Sequence, residues 1–184
     1  MQAAGRPVVG SGPVGLDGTA AWLDAVGAAA GVSADAANAR ALPAIRAAME
    51  ANPISARITV SGYEGSELLV ARLLIEAGAE VPYVGTACPK TEWSEADRVW
   101  LEARGIHVQY RASLEQDVAA MLDVRPDLAV GTTPLVQKAK ALGIPRCISP
   151  IWFRRVRCSA RRGLAHWPRS LPPRPRGGNV SAAW

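Results

Sequence analysis

The chain has 184 residues, 49% of them hydrophobic, which suffices for one ordinary domain with a core. Its formal charge of +5 is unevenly spread: residues 1–145 hold 12 Lys and Arg against all 16 acids, whereas the last 39 residues hold nine arginines and no acid. No apolar run is long enough to span a bilayer, and three cysteines without a CxxC pair support neither a disulfide framework nor a self-contained metal site.

Met1 is not followed by the basic and then apolar stretch of a signal peptide, so a cytoplasmic location is expected. Gly10, Gly12 and Gly15 match GxGxxG, a spacing that either brings backbone to a pyrophosphate at a helix N-terminus or makes a tight turn. The preceding strand could only be Pro7 to Val9, and Pro13 interrupts the loop, which favours the turn. Asp17 or Thr19 is expected to cap a helix over Ala20 to Ala30 closed by Gly31; Ser33 opens a second, alanine-rich helix that Pro43 is expected to kink and Asn52-Pro53 to end.

Strands and helices then alternate. Arg57 to Val60 reads as a strand, Ser66 to Glu76 as a helix stopped by Gly78, and Val81 to Val84 as the next strand. Ser94 caps a helix to Ala103 that Gly105 ends, followed by a strand over Ile106 to Tyr110. Ser113 opens a helix over Leu114 to Leu122, Leu128 to Val130 is a fourth strand, and Pro134 to Ala141 is a helix with proline in its first turn. Ile144 starts a fifth strand, where the pattern breaks off.

This alternation predicts an α/β fold: a Rossmann-like parallel sheet with helices on both faces, preceded by a helical segment. The expected organisation is a turn and helical segment over 1–54, the α/β domain over 55–148, and a basic Arg/Pro-rich tail over 149–184, expected to be disordered. Ligands of such sheets sit beyond the carboxyl ends of the strands. That rule singles out the loops Ser61 to Gly65, Gly85 to Thr91, Arg111 to Ser113 and Gly131 to Thr133, with Tyr63, Glu64, Gly65, Ser66, Thr86, Cys88, Thr132 and Thr133 as ligand-facing candidates.

Each candidate has a plainer reading. The Ser61 to Ser66 stretch can turn amides towards an anion, or be a glycine-assisted turn with a Ser66 cap. Cys88 is a ligand, a nucleophile or a small buried residue, and no second ligand stands near it in sequence. Thr132 and Thr133 bind an anion or cap the following helix, with Gln137, Lys138 and Lys140 on the same polar rim. His107, inside a strand pattern, reads as structural. No Ser/His/Asp set, metal-spaced cluster or GK[ST] phosphate loop can be assembled.

In the tail, Arg154, Arg155, Arg157, Arg161 and Arg162 mix with Trp152, Phe153 and Trp167 without period, and Pro168, Pro172, Pro173 and Pro175 exclude a long recognition helix, so nucleic-acid binding is not expected. Back-translating Arg146 to Cys158 and moving the frame by one base permits Ser-Leu-Tyr-Phe-Thr-Asn-Leu-Val-Ser-Ala-Arg-Pro-Leu, a strand-like run followed by a polar loop. The tail is therefore expected to be either a frameshifted translation or a native basic extension.

Gly62-Tyr-Glu-Gly-Ser-Glu-Leu-Leu-Val-Ala-Arg-Leu-Leu74, Val81-Pro-Tyr-Val-Gly-Thr-Ala-Cys-Pro89 and Gly131-Thr-Thr-Pro-Leu-Val-Gln-Lys-Ala-Lys-Ala-Leu-Gly-Ile-Pro145 closely resemble the Y subunit of chlorophyllide a reductase, as does Pro13-Val-Gly-Leu-Asp-Gly-Thr-Ala-Ala-Trp-Leu23. The out-of-frame peptide also resembles that subunit's continuation. The resemblance covers Val8 to Pro145. It implies a portion of a nitrogenase-like reductase of bacteriochlorophyll synthesis. In that family an ATP-dependent iron-sulfur reductase passes electrons to a heterotetramer of Y and Z subunits, which reduces a ring B double bond of chlorophyllide a. The implied cofactor is a 4Fe-4S cluster of the full-length complex, whose cysteine ligands lie in an N-terminal part without counterpart here, so this chain alone is expected to bind no cluster and to be inactive. The implied partners are the Z subunit, the iron-sulfur reductase and chlorophyllide a, with no nucleic acid and no membrane span. The rival reading is a stand-alone Rossmann-type small-molecule binding domain with a basic interaction tail.

Overall fold

The computed structural model describes residue 9 and residues 12–148; Pro7, Val8, Gly10 and the expected tail over 149–184 lie outside the described residues. Helices α1 (Gly15–Ala30) and α2 (Asp35–Glu50) come first. Gly31, at φ +69°, ends α1 in the left-handed conformation, and the amide of Val32 bonds back to Gly27 O at 2.9 Å. Gly27 has no room for a side chain, since a Cβ there would stand 2.7 Å from Val32 O as the chain turns into α2.

Two expectations for this segment need correction. Helix α1 starts at Gly15, not Ala20, and neither Asp17 nor Thr19 caps it. The Thr19 hydroxyl instead donates to Gly15 O at 2.6 Å, while the carboxylate of Glu76, a distant residue, accepts from the amides of Leu16 and Asp17. Pro43 lies within α2 without ending it, so the helix tolerates one missing donor.

The α/β part runs β1 (Arg57–Gly62), α3 (Glu67–Glu76), β2 (Glu80–Thr86), α4 (Glu95–Glu102), β3 (His107–Tyr110), α5 (Leu114–Val124), β4 (Leu128–Gly131), α6 (Thr133–Ala141) and β5 (Arg146–Ile148). The strands form one parallel sheet in the order β3-β2-β1-β4-β5. Residues of opposite strand parity face opposite layers. On one side Ile58, Val60, Val84 and Val130 pack with Leu68, Ala71 and Leu74 of α3 and Leu101 of α4. On the other, Ala129 packs with Met121 of α5 and Leu135 and Ala139 of α6. Burial on both faces explains why these strands read as continuous apolar runs.

Strand ends differ from expectation where small residues look like loop. Ser61 and Gly62 belong to β1, and Gly85 and Thr86 to β2, because the parallel ladder continues through Ser61 beside Gly85 and Gly62 beside Thr86. The fifth strand forms at Arg146–Ile148, so the sheet continues past Pro145. Capping also departs in part. Ser113 opens α5 as expected, and it does so in a reciprocal box with Gln116. Ser94 instead closes a short 3-10 turn, Glu92–Ser94, in a box with Thr91, and its hydroxyl accepts from Tyr110 at 2.9 Å. Neither Ser66 nor Thr132 caps its helix through its side chain.

Candidate functional site

Strands β1 and β4 are neighbours, yet the chain leaves β1 towards α3 on one face and β4 towards α6 on the other. That is the switch point at which Rossmann-like sheets open a crevice. The loop after β1 meets the end of β2 on the side of β1 away from β4. Cys88 Sγ donates to Tyr63 O at 3.4 Å, and the Cys88 amide donates to Thr86 Oγ1 at 3.2 Å. Gly65, at φ +79°, needs glycine for its conformation and lies against Cys88. Tyr63, Gly65, Thr86 and Cys88 are thus brought together, and Tyr63 is 59% exposed. Glu64 and Ser66 complete the same loop, while Thr132 and Thr133 stand at the head of α6 beyond the neighbouring strand. His107 lies exposed on the edge strand and stacks on Tyr83, with centroids 5.6 Å apart.

Beneath this rim lies a buried polar set that sequence reasoning missed. Glu67, 2% exposed, opens α3, and its Oε1 accepts from the Glu64 amide at 2.8 Å while Oε2 has no partner. Its carboxylate rests on Gly62, where a Cβ would come within 2.2 Å of Oε1. Asp117, 8% exposed in the first turn of α5, accepts from the Tyr83 hydroxyl at 2.9 Å. It fits only because β2 carries Gly85 there, where a Cβ would stand 2.0 Å from Asp117 Oδ1.

Burial pushes the Asp117 carboxyl above its ordinary range; the Tyr83 and Ser61 hydroxyls pull it back, and the Glu67 charge raises it further. Ser61 Oγ acts here by proximity, because it closes no hydrogen bond of ordinary geometry. Burial, then the hydrogen bond to Asp117, pushes the Tyr83 phenol upward as well. The missed residues left faint signals. Glu67 interrupts an otherwise apolar helix start, and Tyr83 precedes a glycine by two, on the same face of its strand.

Two helix N-termini that suggested anion binding are supplied with carboxylates by the protein itself. At α1, behind the GxGxxG run, Glu76 accepts from Leu16 and Asp17. The strand that would have to precede that run, Pro7 to Val9, lies outside the described residues apart from Val9. At α3, buried Glu67 opposes a second anion. Burial raises the pKa of Glu76, with Asp17's charge adding to the effect and the two amides and Arg72 opposing it.

A raised carboxyl pKa gives stability that is complete below the unfolded value and is lost as pH rises through the folded value. Relative to the parent chain, Glu76→Gln should therefore gain in melting temperature as pH goes from about 4 to about 8. Thermal unfolding at the two pH values checks this, and a constant difference would contradict it.

The donor set does not fit an iron-sulfur cluster held by this chain alone. Such clusters take about four thiolates; the chain has three cysteines, of which Cys158 lies outside the described residues, and Cys88 and Cys147 belong to different elements. Among the described residues no group of three or more His, Cys, Asp or Glu could hold a metal ion. Nor is any helix among them long and apolar enough to cross a membrane.

The sheet order, helices on both faces and switch-point crevice define a Rossmann-like α/β domain. The family described as nitrogenase component 1 type oxidoreductase matches residues 1–155, and the chain belongs to it. Its relatives include the chlorophyllide reductase 52.5 kDa chain of Cereibacter sphaeroides, 69% identical over 148 residues, and that of Rhodobacter capsulatus, 67% identical over the same length. Each alignment covers 79% of this chain but 30% of the relative, so the chain spans under a third of their length. A solved structure titled "Nitrogenase Cp1 at pH 6.5" shares the fold, with a TM-score of 0.58 and 18% identity, covering 74% of this chain and 32% of that one.

Proposed function

We propose that this chain is a portion of the Y subunit of chlorophyllide a reductase, the catalytic component that reduces a ring B double bond in bacteriochlorophyll synthesis. The observation that carries the reading is the 69% identity to a chlorophyllide reductase chain over 148 residues. In this reading the electrons come from an ATP-dependent iron-sulfur reductase, the Z subunit is the assembly partner, chlorophyllide a is the substrate and the compartment is the cytoplasm. A 4Fe-4S cluster belongs to the complete complex and would receive its ligands from outside this chain.

The part played by these residues is to shape one wall of a pigment crevice. Tyr63, 59% exposed, offers a ring that can lie against a flat macrocycle, and in this reading Glu64, Gly65, Ser66, Thr86, Cys88, Thr132 and Thr133 contribute to the same wall. Positioning a substrate at a site walled by a buried sheet edge also excludes water around the reacting bond. The rival reading, a stand-alone Rossmann-type small-molecule binding domain with a basic interaction tail, is disfavoured for an anionic ligand by the carboxylates at the starts of α1 and α3. The arginine tail enters the account as an out-of-frame translation. A DNA read through the codons for Gly143 to Cys158 should show one base missing or extra, and an intact frame would refute that part.

The functional test is complementation. A Cereibacter sphaeroides strain lacking its 52.5 kDa chain should regain bacteriochlorophyll when given that protein with the stretch matching residues 12–148 replaced by this chain's sequence. The 184-residue chain by itself should not restore pigment. A stable chimera that restores none would overturn the reading.

A further inference from the structure

We propose that Arg111 is a specificity-determining residue that binds a carboxylate of the ligand, its guanidinium taking the ionised side-chain carboxylate of a flat macrocycle whose face lies on Tyr63. The proposal rests on the reductase reading, in which the substrate is a chlorophyllide, a broad apolar ring system with one free carboxylate.

Arg111 follows β3. Its amide donates to Cys88 O at 3.2 Å, and the next amide, of Ala112, donates to Thr86 O at 2.9 Å. The Cys88 thiol in turn reaches Tyr63 O at 3.4 Å. Cys88 thus links the end of β3 to the loop after β1, and Arg111 and Tyr63 stand exposed on the same carboxyl edge of the sheet.

Among the described residues no ion pair, side-chain hydrogen bond or ring contact engages the Arg111 guanidinium. Other cations of the α/β part are taken. Arg57 pairs with Glu80, Arg72 with Asp97, Lys90 with Glu95, and Arg98 with Glu95 and Glu102, while Arg104 donates to Trp100 O. Lys138 and Lys140 lie in the last turn of α6, towards the opposite edge of the sheet. Glu115 and Asp117 occupy the first turn of α5, so the positive end of that helix is matched by the protein's own acids, and the guanidinium is the group left for an anion.

The backbone gives no reason for arginine at this position. Arg111 stands at φ +50°, where glycine is at no disadvantage. Arg125, at φ +49°, ends α5 as its C-cap, a place where left-handed residues are common. Arg111 ends no helix; it lies in the short turn between Tyr110 of β3 and the Ser113 cap of α5. The planar guanidinium fork suits a carboxylate, to which it gives two parallel N–H···O bonds. One charged anchor beside an aromatic wall fixes how a macrocycle is turned in its own plane, and so which of its rings faces the reacting side.

Fluorescence titration of the chimera assembled with the Z subunit, using chlorophyllide a and its methyl ester, tests this. The ester keeps the ring system and lacks the charge. The parent chimera should bind the acid about tenfold more tightly than the ester. Arg111→Gln should weaken the acid by about that factor and leave the ester unmoved, and Arg111→Lys should keep part of the preference. Arg111→Gly, which suits the positive φ, should behave as the Gln variant does and decides the matter if that variant does not fold. Equal weakening of acid and ester, or an unchanged affinity for the acid, would overturn the proposal while leaving the reductase reading intact. A parent chimera that binds neither pigment form would overturn both.

Discussion

Replacing Asp97 by alanine is expected to cost the fold about 3–5 kcal/mol, a large loss for a single polar substitution. Asp97 is 3% exposed and forms an ion pair with Arg72, itself 9% exposed, so the pair ties α3 to α4 within the covered face of the sheet. The pair is not a large net source of stability, because desolvating two charges offsets most of their attraction. Breaking it is a different matter. Without Asp97, Arg72 keeps its charge, its Nε already lacks a partner, and the guanidinium is left against the Trp100 ring, 4.8 Å away. Arg104 occupies that ring more closely, at 3.5 Å. Urea unfolding should show the loss as a lower midpoint, and the double variant Arg72→Met with Asp97→Leu should recover most of it. A loss under about 1 kcal/mol in Asp97→Ala would show that water reaches the pair.

Leu74→Ala is expected to cost about 2–5 kcal/mol. Leu74 is 1% exposed and lies in the cluster with Ile58, Val60, Val84 and Leu101, at the point where α3 covers the centre of the sheet. Truncation removes transfer energy and leaves a cavity whose walls, formed by strand residues in the parallel ladder, cannot readily collapse. The cost is a sizeable share of a typical domain's total stability of about 5–15 kcal/mol. The same urea measurement checks it. A loss below about 1 kcal/mol would mean that the layer closes around the gap, contrary to this packing.

The fold was legible because its strongest signals are local or periodic. Ser113 announces a helix start without any tertiary information, and the structure closes that start with Gln116 in a reciprocal box. Apolar strands spaced by helices imply the parallel sheet, and the sheet implies where its crevice lies. What escaped sequence reading depends on residues far apart in the chain. The start of α1 is set by Glu76, 60 residues from Leu16. Ser61, Gly62, Gly85 and Thr86 have loop-like composition, yet they pair within the sheet, and the two glycines leave room for the carboxylates of Glu67 and Asp117.

The rim of the candidate site followed from the switch-point rule, whereas its buried floor did not. Asp117 looks like an ordinary acid in a first helical turn, favoured there by the helix dipole. Only the folded sheet shows it beneath Tyr83. Cys88 illustrates the converse. Its sequence position left ligand, nucleophile and buried thiol open, and the structure gives it a hydrogen bond to Tyr63 O in the rim without gathering further metal-binding residues around it among those described.

The most direct measurement is turnover by the purified chimera, in which a full-length chlorophyllide reductase 52.5 kDa chain carries residues 12–148 of this protein. Supplied with the Z subunit, the iron-sulfur reductase, ATP and chlorophyllide a, it should consume pigment and yield the ring B-reduced product, separated by chromatography. A folded chimera that assembles with the Z subunit but leaves chlorophyllide a unchanged would contradict the assignment.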